Sequence, residues 1–126
     1  MPAHAIHTDA APKAVGPYSQ GYVAGDFLFL SGQGGLNPAT GALAGADVAS
    51  QAEQTMQNIG ALLQAAGVGF DAVVKTTCFL TDMADFKTFN GIYERYFTSK
   101  PARSCVAVRE LPVGMQCEVE VIAYLK

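Results

Sequence analysis

Between Asp47 and Gly67 the chain reads DVASQAEQTMQNIGALLQAAG. Val48, Ala52, Thr55 with Met56, Ile59, Leu62 with Leu63, and Ala66 recur at helical spacing, so the stretch predicts an amphipathic helix, with Asp47 placed to cap its start and Gly67 its end. One apolar stripe needs one apolar surface to cover it. The segments on either side supply that surface. Ala72 to Leu80 is β-branched and apolar, which suits a buried strand. Asp82 then opens a second helix that carries Phe86, Phe89, Tyr93 and Tyr96/Phe97 on one side and ends before Pro101.

Upstream, Gln20 to Ala24 and Phe27 to Ser31 read as two short strands around Gly25-Asp26, a dipeptide suited to a tight turn. Downstream, Arg103 to Arg109 and Gln116 to Leu125 read as a second strand pair, joined around Leu111-Pro-Val-Gly114. The order is ββαβαββ. Two amphipathic helices share a surface most simply if one mixed sheet carries both on a single face, which makes 1–126 a single α+β domain. Between the first hairpin and the first helix, Ser31-Gly-Gln-Gly-Gly-Leu-Asn-Pro38 and Thr40-Gly41 have the composition of a sharply turning loop, closer to a binding loop than to a core element.

Composition then bears on the uncovered face. Hydrophobic residues make up 50% of the 126 and charged residues 15%, against roughly 25% charged in an average soluble domain. A chain so short of charge is expected to cover its second sheet face with copies of itself, enclosing clefts between subunits. A specific three-fold barrel does not follow from pattern alone. No apolar run approaches the ~20 residues of a membrane helix, and Met1 to Ala11 lacks the form of a secretory signal, so a cytoplasmic protein is expected. Cys78, Cys105 and Cys117 form an odd set without a CxxC pair and read as reduced thiols. His4 and His7 are the only histidines, too few for a metal site without further ligands. The net charge is −3, and the eight Lys and Arg are scattered, which disfavours nucleic acid as a partner. There is no P-loop, GxSxG elbow, HExxH or Rossmann glycine set, so no cofactor is expected.

A carboxylate working with ordered water remains as the available chemistry. Alternation places Glu118 and Glu120 on one strand face, either as a solvated surface or as carboxylates able to exchange protons with water in a cleft. Arg103 reads either as a surface arginine or as a bidentate clamp for a substrate carboxylate. A tail hairpin turning at Pro112-Val113 sets Glu118 opposite Ala107 and Arg103 opposite Ile122, leaving the two charges roughly 13 Å apart, with room for a small substrate or a neighbouring chain. Tyr18 follows a Gly-Pro turn and reads either as a packed ring or as one presented from a loop. Asn90 shares a helix face with Phe86 and Tyr93, where its amide needs a hydrogen-bond partner. Ser31 and Gly32 end a strand where a hydroxyl and a bare N–H can meet a ligand oxygen, or simply stop the strand. Without a histidine beside it, Cys105 reads as a packing residue rather than a nucleophile.

Several of these segments, in order, resemble the RidA/YjgF enamine and imine deaminases: Gly16-Pro-Tyr-Ser-Gln20, Ser31-Gly-Gln33 with Asn37-Pro38, Val74-Lys-Thr-Thr77, Pro101-Ala-Arg-Ser-Cys105, Leu111-Pro112 and Glu118-Val-Glu120. The resemblance runs from Ala11 to Ala123. It implies a chorismate-mutase-like fold, a homotrimer around a β-barrel with sites at the subunit interfaces, and cofactor-free hydrolysis of 2-iminobutanoate and 2-iminopropanoate to 2-keto acids and ammonia. It further implies that Arg103 holds the substrate carboxylate and Glu118 positions water, with Tyr18, Ser31, Gly32, Asn90 and Cys105 at the ligand. Gly34-Gly35, where bulkier residues are usual, Cys117 and the short Phe97-Lys100 connection depart from the family pattern. Another enamine such as 2-aminomuconate, a ligand-binding or chaperone-like role, and a ribonuclease or translation inhibitor are the competing readings.

Overall fold

A computed structural model describes residues 3–126. Eight strands and helices follow in order: β1 (His4–Ile6), β2 (Gly21–Ala24), β3 (Phe27–Gln33), α1 (Val48–Ala65), β4 (Val73–Leu80), α2 (Phe86–Tyr96), β5 (Ala102–Ala107) and β6 (Cys117–Tyr124). The strands form one six-stranded sheet in the order β1-β2-β3-β6-β4-β5. The expected ββαβαββ order is therefore preceded by one further strand. His4–Ile6 pairs with Gly21–Val23 over only three residues, too few for an alternating pattern to register.

The first hairpin forms as expected: Ala24 faces Phe27 across Gly25-Asp26, and Gly25 takes φ 61. Strand β3 continues past Ser31 to Gln33, with a register irregularity between Leu30 and Gln33. The start of the glycine-rich loop thus belongs to the sheet. Helix α1 ends as a Schellman motif, in which Val68 N–H donates to the Leu63 carbonyl and Gly67 N–H to that of Gln64, with Gly67 at φ 81. Asp47 occupies the N-cap position in extended conformation without a side-chain bond to the helix backbone. Asp82 caps a short 3₁₀ turn, Met83–Asp85, accepting from Ala84 N–H, and α2 begins one turn later than the sequence indicates.

The tail is not a hairpin. Strand β5 runs parallel to β4 on the sheet edge, and β6 lies between β3 and β4, antiparallel to both. The β4-α2-β5 crossover carries the chain to the outer flank of β4, because β6 occupies the inner one. Burial explains the choice. Cys117, Val119, Val121 and Ala123 are fully buried beneath the helices, whereas β5 has no fully buried residue. The more apolar strand takes the centre.

Both helices lie on one sheet face, as expected. Ala52, Met56, Ile59, Leu62 and Leu63 of α1 and Phe89, Tyr93 and Phe97 at α2 form one core with Leu28, Leu30, Cys78, Leu80 and the inward side of β6. Tyr93 stacks on Phe97 at 4.4 Å and shares a 2.8 Å hydrogen bond with Thr76 on β4. The other face keeps Tyr22, Phe27, Phe29, Val106 and Tyr124 between 40 and 46% exposed, an apolar surface that the chain itself does not cover. Among the described residues, no helix is long and apolar enough to cross a membrane.

Candidate functional site

Glu118 stands on the open face of the sheet, opposite Phe79 of β4. Burial, with a smaller contribution from the charge of Glu120, raises its pKa above the ordinary carboxylate value. Gly32 lies directly against it: a Cβ at Gly32 would overlap the Glu118 carboxylate. The missing side chain is what lets the acid sit beside the β3 backbone.

A cavity of about 450 Å³ opens beside this carboxylate, and Tyr18, Ser31, Gly32, Glu118 and Glu120 are among its walls. Four of the seven expected site residues are thereby brought together. Tyr18 is half exposed on its loop, and the loop is held in place by two hydrogen bonds: Ser31 Oγ donates to the Ser19 carbonyl at 2.6 Å, and Ser31 N–H to that of Gln20 at 3.0 Å. Gln20 is 3% exposed and fastens the N-terminal segment over the same cavity. Its Nε2 donates to the Thr8 and Pro12 carbonyls, and its Oε1 accepts from Thr8 N–H.

Arg103 and Asn90 meet elsewhere, in a second depression of about 360 Å³ beside α2 and the β5 edge. Arg103 Nη1 donates to Asn90 Oδ1 at 2.7 Å, and its guanidinium lies 4.8 Å from the Tyr93 ring centre and 5.5 Å from that of Phe86. Among the described residues no carboxylate lies within ion-pairing distance of Arg103. The planar group is oriented by an amide and two rings, and its remaining donors are available to a carboxylate. Cys105, two residues along the strand, pairs in register with Cys78. Burial raises the Cys105 thiol and pushes that of Cys78 up to about 12, which keeps both protonated and poorly nucleophilic.

The expected register of the two charges is corrected by the strand order. Arg103 faces Thr76, which faces Val121 on its other side, while Glu118 faces Phe79, which faces Val106. Two strand spacings and three residues therefore separate the backbones, about 14 Å. Their side chains also point to opposite faces, Arg103 toward α2 and Glu118 away from the helices. One chain thus carries the expected site residues in two separate groups: Tyr18, Ser31, Gly32 and Glu118 on the open face, and Arg103, Asn90 and Cys105 at the edge.

Two residues that brace the backbone beside the first group were missed from the sequence. Asn58, 1% exposed, donates through Nδ2 to the Gly34 and Leu36 carbonyls at 3.0 and 2.9 Å. Gln51 is wholly buried; it accepts from Gln116 N–H and donates to the Gly45 carbonyl. Both interrupt the apolar stripe of α1 seven residues apart, two amides on a buried helix face, and that was the available signal. Among the described residues, no group of three or more His, Cys, Asp or Glu is arranged to hold a metal ion.

Residues 8–125 match the family described as Endoribonuclease L-PSP. The chain is 50% identical over 126 residues to Protein DfrA of Myxococcus xanthus, covering 98% of this chain and 96% of that one. It is 47% identical over 122 residues to the 2-iminobutanoate/2-iminopropanoate deaminase of Escherichia coli K12, covering 94% of each. The crystal structure of E. coli TdcF with bound serine superposes with a TM-score of 0.93 at 40% identity, covering 98% of this chain and 99% of that one.

Proposed function

The chain belongs to the endoribonuclease L-PSP family, the family of the RidA/YjgF deaminases, and from that premise we propose that it hydrolyses 2-imino acids, 2-iminobutanoate and 2-iminopropanoate among them, to 2-keto acids and ammonia. The observation that carries the reading is the pair of half-sites. One offers a free, oriented guanidinium, the other a carboxyl of raised pKa beside a cavity, and each lacks what the other has. Copies of the chain meeting through their exposed aromatic sheet faces, in a homotrimer, would bring Arg103 of one to Glu118 of the next. That arrangement is part of the proposal.

The chemistry needs no cofactor. Arg103, held flat by Asn90, Tyr93 and Phe86, takes the substrate carboxylate through paired N–H donors. The carbon of the protonated imine then lies toward Glu118, which accepts a proton from water as the water oxygen bonds to that carbon and the C=N π pair goes to nitrogen, leaving a neutral amino alcohol. Glu118 returns its proton to the amino nitrogen of this tetrahedral adduct. It then takes the hydroxyl proton as the carbonyl forms, the C–N bond breaks and ammonia leaves, and the proton passes from Glu118 to the ammonia. A carboxyl whose pKa is raised is a stronger base than an ordinary carboxylate and can return the proton it takes, a contribution of roughly 10²–10⁴-fold. Tyr18, Ser31 and the Gly32 backbone line the reacting end, and Cys105 packs beside the guanidinium.

A ribonuclease reading gains nothing from this cavity, since Glu118 and Glu120 set two carboxylates where a phosphodiester would lie. The deaminase reading is tested by generating 2-iminobutanoate and 2-iminopropanoate in place, trapping residual imine with semicarbazide, and following 2-keto acid release. Wild type is expected to accelerate release, and Arg103→Ala and Glu118→Ala, folded and assembled as wild type, to lose the effect. No acceleration by wild type overturns the reading.

A further inference from the structure

The cavity beside Glu118 also has an apolar wall. Met115 forms part of it and is 6% exposed. Its thioether occupies the space above Gly34, where a Cβ would overlap Sδ. Gly34 is fixed from below, because its carbonyl accepts from Asn58, and Gly35 cannot give way, since a Cβ there would stand 2.6 Å from the Gln51 backbone. The Gln51 backbone blocks one side, so the flexible end of the methionine is the group that can give.

Beyond Met115, Val113 adds a second apolar group at the mouth, 69% exposed. It holds φ 52, a left-handed conformation that a β-branched residue adopts only under strain. Strain retained to keep an apolar side chain over a cavity mouth points to use there. Leu36 and Pro112 complete the wall.

We propose that Met115, seated on Gly34, sets the length of apolar side chain the cleft accepts on a 2-imino acid. The inference rests on the deaminase reading and extends it to the substrate's other end. A thioether on three rotatable bonds yields to a bulky substrate at little cost. A side chain at position 34 would push that thioether into the cavity and shorten it.

The test uses the full chain and imines generated in place by an L-amino acid oxidase from alanine and leucine, with kcat/KM for each taken from semicarbazide competition. Relative to wild type, Gly34→Ile lowers the leucine-to-alanine ratio by at least about tenfold, the scale of one misplaced methylene in a pocket. Adding Met115→Ala to Gly34→Ile restores the ratio, because the displaced thioether is gone. Gly34→Ala, which asks only the end of the methionine to shift, gives a smaller change of the same sign and serves if the isoleucine variant does not fold. A ratio unchanged in both Gly34 variants overturns the proposal. That outcome leaves the deaminase reading intact, whereas no acceleration of either imine removes both.

Discussion

Two inactive variants should make an active protein. If Arg103 of one copy and Glu118 of a neighbour form each site, Arg103→Ala and Glu118→Ala chains each have every site broken. Mixed at equal amounts and assembled at random, a site is intact only when the copy giving Arg103 is the Glu118→Ala chain and its neighbour is the Arg103→Ala chain. Each condition holds about half the time, so about one site in four is whole, for any ring of identical interfaces. The magnitude depends on the geometry described above: a backbone separation of about 14 Å and opposite sheet faces prevent one chain from closing the site alone. The assay is 2-keto acid release after the two purified variants are unfolded, mixed and refolded together, compared with each refolded alone. Recovery of about a quarter of wild-type specific activity is expected, against residual parental activities lower by roughly 10²-fold or more. A mixture no more active than its parents, with size analysis showing that the chains have exchanged, refutes the shared site.

Three further outcomes follow from individual contacts. Asn58→Ala leaves the buried Gly34 carbonyl and the part-buried Leu36 carbonyl without their donor, at about 1–3 kcal/mol for the buried one, and denaturant unfolding reads the loss. Asn90→Ala removes the acceptor that orients Arg103; the misplaced guanidinium should raise KM for the imine by roughly tenfold or more, and the lost hydrogen bond to a charged group should also lower the melting temperature. Glu118→Gln tests the raised pKa. The folded state binds this proton more tightly than the unfolded state does, so Glu118 favours folding at low pH and disfavours it as pH climbs from its ordinary value through the raised one. The glutamine variant should therefore melt higher than wild type near neutral pH, with the advantage vanishing as pH falls to about 4. An advantage that grows on acidification contradicts the assignment.

Much of the fold was legible because its periodicities are strong. The stripe from Val48 to Leu63, the apolar run of β4 and the aromatic face of α2 each announce a buried element, and Gly25 and Gly67 mark turns that require positive φ. Strand pairing was not legible in the same way. Residues 103–109 and 116–125 are adjacent in sequence and strand-like, which favours a hairpin locally, yet β6 is apolar enough on its inward side to take the centre and displaces β5 to the edge. That difference concerns function. In a hairpin, Arg103 and Glu118 share one face of a strand pair, roughly 13 Å apart; in the sheet, they belong to different faces. Residue types singled out Arg103, Asn90 and Glu118 as candidates, whereas the amides beneath the cavity, Gln51 and Asn58, went unseen because a helical stripe is read by its apolar members.

The most direct test of the shared-site account is a crystal structure of the assembled protein with a bound 2-keto acid, the product of the proposed reaction. The account predicts a ligand carboxylate within hydrogen-bonding distance of the Arg103 guanidinium of one copy and a C2 carbonyl facing the Glu118 carboxyl of another. A ligand held by Glu118 and Arg103 of the same chain, or bound beside Glu118 with Arg103 of every copy out of reach, contradicts it.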